Sequence, residues 1–275
     1  MTPRKPAARR RNSSSKPSHR SGAQGGGHAV RPAIQAKGYW LYGRHAVFAA
    51  LANPRRRKYR LLATGNAARD LGTLPPSLAV ELVRSPRDID TLLPQGSVHQ
   101  GLALDVAPLD DLNLDDLLQR LGREPAVIVV LDQVTDPHNV GAILRSSAAF
   151  SAVAVITTER QAAAETGALA KAACGALDMV PYISVVNLAR ALEELADAGF
   201  WRVGLDGEAD MLLTDGINDP RIALVMGAEG TGLRRLTREY CDVLAKLPIS
   251  SAMESLNVSN AAAIALYECA RRGNS

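Results

Sequence analysis

From Ala126 onward, apolar runs of strand length alternate with helix-length segments, and this restricts the fold more than any other feature of the sequence. AVIVVLDQV (126–134), AVAVIT (152–157), MVPYISV (179–185), WRVGLD (201–206), IALVMG (222–227) and DVLAKLPI (242–249) are the strand candidates. VGAILRSSAAF, TGALAKAACGAL, NLARALEELADAG and LRRLTREY lie between most of them as helices. Such alternation predicts an α/β fold with a mostly parallel sheet covered by helices. Ligands of such sheets bind beyond the carboxyl ends of the strands, so the chemistry is expected in the loops there.

The chain before Ala126 has a different character. Residues 1–60 hold fifteen Lys or Arg and no Asp or Glu, while the remainder holds 17 basic and 28 acidic residues. This asymmetry points to a polyanionic partner, nucleic acid first, although a solvated basic tail gives the same count. Residues 1–37 are rich in Arg, Ser, Gly and Pro, with too little apolar material to order themselves. Residues 38–107 read as a small α/β module: a helix over YGRHAVFAAL (42–51), a basic cluster RRRKYR (55–60), then LLAT, AVELV and GLALDV as strands. Residues 108–123 are an acidic linker with a short helix, and 124–275 form the second domain. Cys174, Cys241 and Cys269 lack metal-ligand spacing, so no metal is expected. No apolar run approaches the ~18–20 residues of a membrane span, and the basic start lacks the apolar stretch of a secretory signal. A cytoplasmic protein is expected, with a transit peptide as the alternative for the Arg- and Ser-rich start.

Three loops at strand ends carry the candidate chemistry. In LDQVTDPHNVGAILRSSAAF (131–150) a strand ends at Val134, Asp136-Pro137 signals a turn, and Asn139 is a candidate cap for the next helix. Ala142, Ile143, Ala149 and Phe150 are the expected core positions of that helix, and Arg145 is expected to project toward the strand ends with Asn139. A capped helix with a surface arginine explains the same pattern. In IALVMGAEGTGLRRL (222–236) an apolar strand runs into three glycines that permit close backbone approach and positive φ. The spacing is neither a dinucleotide fingerprint nor a P-loop, and Glu229 would repel phosphate. Glu229 suits a ligand offering hydroxyls, amines or a positive charge; a tight turn with an acid at a helix N-terminus is the plainer reading. In LAKLPISSAMESLNVSNAAAIALYE (244–268) a strand ends at Pro248-Ile249 and Ser255 or Asn257 can cap the last helix. A cap does not account for Asn257, Ser259 and Asn260 together, whereas a helix N-terminus facing a ligand does.

Taken together, N-V-G-A-I-L-R-S-S-A-A-F, L-V-M-G-A-E-G-T-G-L and L-P-I…S-L-N-V-S-N-A-A-A-I-A-L-Y-E resemble the motifs of the SpoU, or TrmH, family of RNA ribose 2′-O-methyltransferases over residues 126–270. Y-G-R-H-A-V (42–47) and V-H-Q-G (98–101) resemble the edges of that family's accessory domain, an RNA-binding fold like ribosomal protein L30e. The two-domain form is similar to the subgroup that methylates a guanosine ribose of 23S rRNA. Ile249 stands where the third motif has Met, and Ser250-Ser251-Ala252 replaces a loop containing Gly.

The resemblance implies a C-terminal trefoil knot of the SPOUT type, which connectivity rules alone would not suggest. It implies S-adenosylmethionine as cofactor, held by Gly227, Leu247, Ile249 and Leu256 largely through backbone groups. Arg145 would activate the ribose hydroxyl, either as a base oriented by an RNA phosphate or as a cation stabilising the forming alkoxide. Asn139 would orient Arg145 or the ribose, and Glu229 would lie near the substrate or fix its loop. Ser255 and Asn257 would bond the substrate or hold the loops together. A homodimer through the knotted face is implied, with Ala261, Ala262, Ala263 and Ala265 suited to close helix packing there. Arg55, Arg56, Arg57, Lys58 and Arg60 are candidate phosphate contacts, and His45 and His99 are expected to be structural. The alternatives are a tRNA substrate for the same chemistry, or a non-catalytic RNA-binding or ribosome-assembly factor that has kept the fold.

Overall fold

The computed structural model describes residues 36–250, 252–253 and 255–273, so most of the basic segment expected at 1–37 lies outside the described residues. The described residues belong to one compact unit. It opens with β1 (Tyr39–Tyr42), a strand that the helical pattern over 42–51 does not reveal. Then come α1 (Arg44–Ala52), β2 (Lys58–Thr64), α2 (Gly65–Ala68), β3 (Ala79–Val83), α3 (Pro86–Asp90) and β4 (Leu102–Val106). The four strands form a mixed sheet in the order β1-β4-β2-β3. β4 runs antiparallel to both neighbours and β3 parallel to β2. α3 starts where Ser85 and Asp88 form a reciprocal capping box with Pro86 in the first turn.

The connector helix α4 (Leu114–Leu121) begins at the Asn113 cap and sends Leu114 and Leu117 into the core of the larger sheet. That sheet is built from β5 (Ala126–Leu131), β6 (Ala154–Thr158), β7 (Tyr182–Val185), β8 (Trp201–Leu205), β9 (Met211–Leu212), β10 (Arg221–Met226) and β11 (Val243–Lys246). Between and after them lie α5 (Pro137–Ala149), α6 (Gly167–Ala172), a 3₁₀ turn at Ala176–Asp178, α7 (Leu188–Asp197), α8 (Leu213–Gly216), α9 (Arg235–Glu239) and α10 (Val258–Gly273). The strand order is β7-β6-β5-β10-β8-β11-β9, and every pairing is parallel.

Each apolar run predicted as a strand becomes one, but two end earlier than expected. β5 stops at Leu131, where the Asp132 N–H bonds the Met226 carbonyl and Gln133 turns the chain with φ +64. β11 stops at Lys246, so Val134 and Pro248-Ile249 already belong to loops. Strand residues alternate between two apolar layers. Val129 and Leu131 face α5, α6, α10 and the small sheet in one continuous core, while Ile128 and Val130 face α4 and α7. On α5, Ile143 is buried as expected, but Ala149 is exposed and Leu144 takes its place in the core. On α10, Ala262 and Ala265 are buried within the chain's own core, leaving Ile264 and Tyr267 on the outer face. No helix among the described residues is long and apolar enough to cross a membrane.

Candidate active site

β5 and β10 are neighbours at the middle of the larger sheet, and the chain leaves them in opposite directions, to β6-β7 on one side and to β8-β11-β9 on the other. Such a switch point opens a crevice at the carboxyl ends of the strands. The loops after β5, β10 and β11 converge there, and one carboxylate oxygen joins them. Glu229 Oε1 accepts hydrogen bonds from Asn139 Nδ2 (3.2 Å), from Asn257 Nδ2 and from the Val258 backbone N–H (3.4 Å). Asn257 Nδ2 also donates to Asn139 Oδ1 at 3.0 Å. Asn139, Glu229 and Asn257 therefore form a closed polar cluster.

The caps explain why those amides are available. Asn139 does not cap α5: Asp136 does, accepting the His138 N–H at 3.2 Å, one residue before the Pro that starts the helix. Asn257 caps α10 with its carbonyl oxygen, accepting from the Ser259 N–H (2.9 Å), the Ser259 hydroxyl (2.5 Å) and the Asn260 N–H (3.4 Å). Its amide end is left for Glu229 and Asn139. One residue thus serves as helix cap and loop tie, and the hydroxyl of Ser259 is spent on the same cap.

Beside the cluster, beyond the ends of β8, β10 and β11, opens a cavity of about 420 Å³. Gly227, Glu229, Leu247, Ile249, Ser255 and Leu256 line it, whereas Asn139, Arg145 and Asn257 do not. Gly227 is required for a reason other than ligand approach. A Cβ there would collide with the Gly232 carbonyl and the Leu233 nitrogen, where the loop folds back on itself. Gly230 and Gly232 take the positive φ values, +79 and +64.

Several cavity residues escaped the sequence reading: Asp206, Glu208, Arg238 and Lys246. Asp206 Oδ1 accepts the Glu208 N–H at 3.0 Å, and Oδ2 lies 2.5 Å from Arg238 Nη1. WRVGLDGEAD places these acids at the carboxyl end of a predicted strand, which is the signal that could have found them. The buried Asp132 also went unnoticed; it accepts from Arg234 N (3.0 Å) and Nε (2.6 Å) and braces the second loop against the first.

Arg145 stands apart from the cluster. It is exposed on α5, and its Nη1 lies 3.6 Å from Cys174 Sγ. Six residues of helix separate it from Asn139, roughly 120° around the axis, so the two side chains leave α5 in different directions. The expectation that they project together is corrected on this geometry.

The basic cluster at 55–60 is also only partly available. Arg56 is buried and bonded to Asp178 and Glu165, so it is not a phosphate contact. Burial alone would lower its pKa, but the bonds to Asp178 and the surrounding negative charge raise it. Lys58 donates to the Asn53 carbonyl at 2.7 Å, and burial lowers its pKa. Arg55 and Arg57 are exposed, and Arg60 lies over the Trp40 ring at 5.5 Å. His99 is structural: Nδ1 accepts the Gly101 N–H at 3.0 Å and Nε2 pairs with Asp90 at 3.1 Å. His45 is exposed on α1.

Residues 126–267, which hold every candidate catalytic and cofactor residue, match the SpoU rRNA Methylase family. The 23S rRNA (guanosine-2′-O-)-methyltransferase RlmB of Pseudomonas putida is 42% identical over 240 residues, 84% of this chain and 96% of its own. RlmB of Coxiella burnetii is 39% identical over 239 residues, 84% and 95% of the two chains. Among solved structures, the SpoU methyltransferase AviRb from Streptomyces viridochromogenes in complex with AdoMet superposes with a TM-score of 0.69 at 25% identity, covering 86% of this chain and 90% of that one. An AdoMet-bound rRNA methyltransferase from Sinorhizobium meliloti gives 0.70 at 21% identity over 85% and 87%, a likeness of fold. On its own loops, its sheet and these relatives, the chain belongs to the SpoU rRNA methylase family.

Proposed function

We propose that this chain transfers a methyl group from S-adenosylmethionine to the 2′-hydroxyl of a guanosine ribose in 23S rRNA. The observation that carries the substrate is its 42% identity with an RlmB enzyme across nearly the whole of that relative. The cofactor supplies an electrophilic methyl group on a sulfonium. The cavity fits such a molecule chemically: the apolar Leu205, Leu247, Ile249 and Leu256 suit an adenine, and a lining that holds the acids Asp206, Glu208 and Glu229 beside the bases Arg238 and Lys246 suits a ligand with a sulfonium, an ammonium and a carboxylate. Its size lies within the ~300–1,000 Å³ of ordinary small-molecule sites.

In this reading Gly227, Leu247, Ile249 and Leu256 cradle the nucleoside, and Ser255 stands at the cavity wall. Asn139, Glu229 and Asn257 hold the three loops in register. Glu229 Oε1, which accepts three hydrogen bonds, is the atom that ties them. Arg145 meets the ribose as a cation. A guanidinium is a poor base, so it stabilises the developing alkoxide while water or an RNA phosphate takes the proton. Holding the hydroxyl in line with the methyl supplies much of the remaining rate.

Residues 38–107 serve as an L30e-like RNA-binding domain, with Arg55 and Arg57 toward phosphate, 108–123 as linker and 124–275 as the catalytic domain. The C-terminal part is a trefoil knot; the return of α10 onto α5 and the tie from Val258 to Glu229 support that reading. Two copies pair through the knotted face, where Ile264 and Tyr267 are exposed. An rRNA substrate fits a cytoplasmic protein. The test is transfer of labelled methyl from S-adenosylmethionine to unmodified 23S rRNA and to tRNA. Label in one 23S guanosine ribose is expected. Label confined to tRNA overturns the substrate, and no label in either overturns the enzyme in favour of a binding factor.

A further inference from the structure

Arg56, in the loop between α1 and β2, has a side chain with no exposure, and all three of its nitrogens are engaged. Nε and Nη2 grip Asp178 at 2.9 and 3.2 Å. Nη1 donates to the Ala107 carbonyl (3.0 Å), to Tyr39 Oη (3.2 Å) and to Glu165. Asp178 takes a further bond from Asn53 Nδ2 at 2.9 Å, and Glu165 accepts from Tyr39 Oη (2.6 Å) and from the Leu109 N–H (3.1 Å). Residues of the small sheet and its loops are thus bound to the two ends of segment 165–178, which belongs to the larger sheet.

The opposite side of that segment supports the helix bearing Arg145. A Cβ added to Gly141 of α5 would come within 2.5 Å of Ala172 Cβ and 2.9 Å of Ala173 N, so α5 and α6 touch without slack. Arg145 Nη1 contacts Cys174, which is held at φ +49. The next residue, Gly175, lies against α1, where a Cβ would come within 2.8 Å of Ala49 Cβ. Segment 165–178 is therefore pressed between the small sheet's helix and the Arg145 helix. A buried ion pair is weak evidence of stabilisation, since well-packed apolar groups often do as well. A two-pronged guanidinium–carboxylate contact does fix one geometry.

We propose that Arg56, Asp178 and Glu165 are positioning residues for the reaction: they clamp segment 165–178 against the small sheet and so set where Arg145 stands. This rests on the reading that Arg145 acts on the ribose. The part of the chain that grips RNA and the arginine that meets the 2′-hydroxyl then move as one body.

The test uses the full chain with Asp178→Asn, Glu165→Gln and Arg56→Lys, each nearly isosteric or charge-conserving. Four quantities are read at a temperature where each variant is folded: kcat, KM for 23S rRNA, calorimetric affinity for S-adenosylhomocysteine, and the rate of maleimide alkylation at Cys174 by mass spectrometry. Burial pushes the Cys241 and Cys269 thiols up to about 12, which keeps them slow and leaves Cys174 as the reporter. Misplacement of a reacting group by an ångström costs up to ~10²-fold, so Asp178→Asn should lower kcat at least ~10-fold. KM and S-adenosylhomocysteine affinity should stay within about 2-fold, and Cys174 should alkylate several-fold faster, because only the clamp is touched. Glu165→Gln should move both readouts the same way by less, and decides the matter if Asp178→Asn does not fold. Arg56→Lys, which keeps the charge and loses the fork, should resemble Asp178→Asn. Unchanged kcat in the folded variants, a loss confined to KM, or unchanged Cys174 alkylation overturns the proposal. Wild type that methylates neither 23S rRNA nor tRNA sinks the function reading and the catalytic role with it, while alkylation, which needs no activity, still decides whether the clamp holds the segment.

Discussion

Two polar clusters organise this molecule, and they differ in what surrounds them. Around Glu229, two neutral amides and one backbone N–H meet a carboxylate at the exposed ends of the strands. Around Arg56, one guanidinium and two carboxylates are enclosed between the sheets, where Arg56 has no exposed side-chain surface. Water shares the field of the first cluster and can take up a bond that is lost. In the second the Arg56 and Asp178 side chains are almost wholly shielded, so water replaces a missing partner poorly, and an uncompensated charge in a desolvated place is costly. The first is suited to loops that must admit ligands, and the second to a joint that must not move.

That contrast ranks the expected effects of substitution. Asp178→Ala should cost most, about 3–5 kcal/mol, because it strands a buried guanidinium; denaturant unfolding checks this, and a loss below 1 kcal/mol would erase the distinction between the clusters. Arg145→Ala should lower methyl transfer by about 10²–10³-fold, as loss of a charge-stabilising donor does. It should leave the melting temperature nearly unchanged, since the side chain is exposed and its contact is a long one to sulfur. Asn257→Ala removes a helix cap, worth about 1 kcal/mol. It should also loosen cofactor binding, measured by calorimetry, because the same residue ties α10 to Glu229.

The smallest effect sharpens the comparison with a pair of intermediate exposure. Burial raises the Asp242 carboxyl, but the bonds from Arg202, at 2.6 to 2.8 Å, outweigh it and hold the carboxyl below its ordinary value of 3.8. A depressed folded-state value means that the stabilisation is complete above 3.8 and is lost as pH falls through the folded value. Asp242→Asn should therefore narrow the gap in melting temperature between pH 5 and pH 3. An unchanged gap would show that the pair contributes nothing at the surface.

The difference between the clusters also explains what could be read in advance. The larger sheet was legible because parallel strands are apolar on both faces and announce themselves as runs. The loop residues were legible because Asn139, Glu229 and Asn257 each follow such a run. β1 was hidden, since Tyr39-Trp40-Leu41-Tyr42 becomes a strand only by pairing with β4, far along the chain. Asn139 is a cap candidate on sequence, but Asp136 provides the cap; both are capping residues, and only the helix start at Pro137 distinguishes them. Arg56 was the clearest misreading. In sequence it is one of a row of surface-like cations, and its partners Glu165 and Asp178 lie 109 and 122 residues away. No local pattern records that one member of the row turns inward.

The most direct test of the central claim is a ribose-methylation map of 23S rRNA and tRNA from cells lacking this chain, complemented with wild type or with Arg145→Ala. The account predicts that one 23S guanosine loses its 2′-O-methyl group on deletion, regains it with wild type and stays unmodified with Arg145→Ala. A map that deletion leaves unchanged, or that changes only in tRNA, would contradict it.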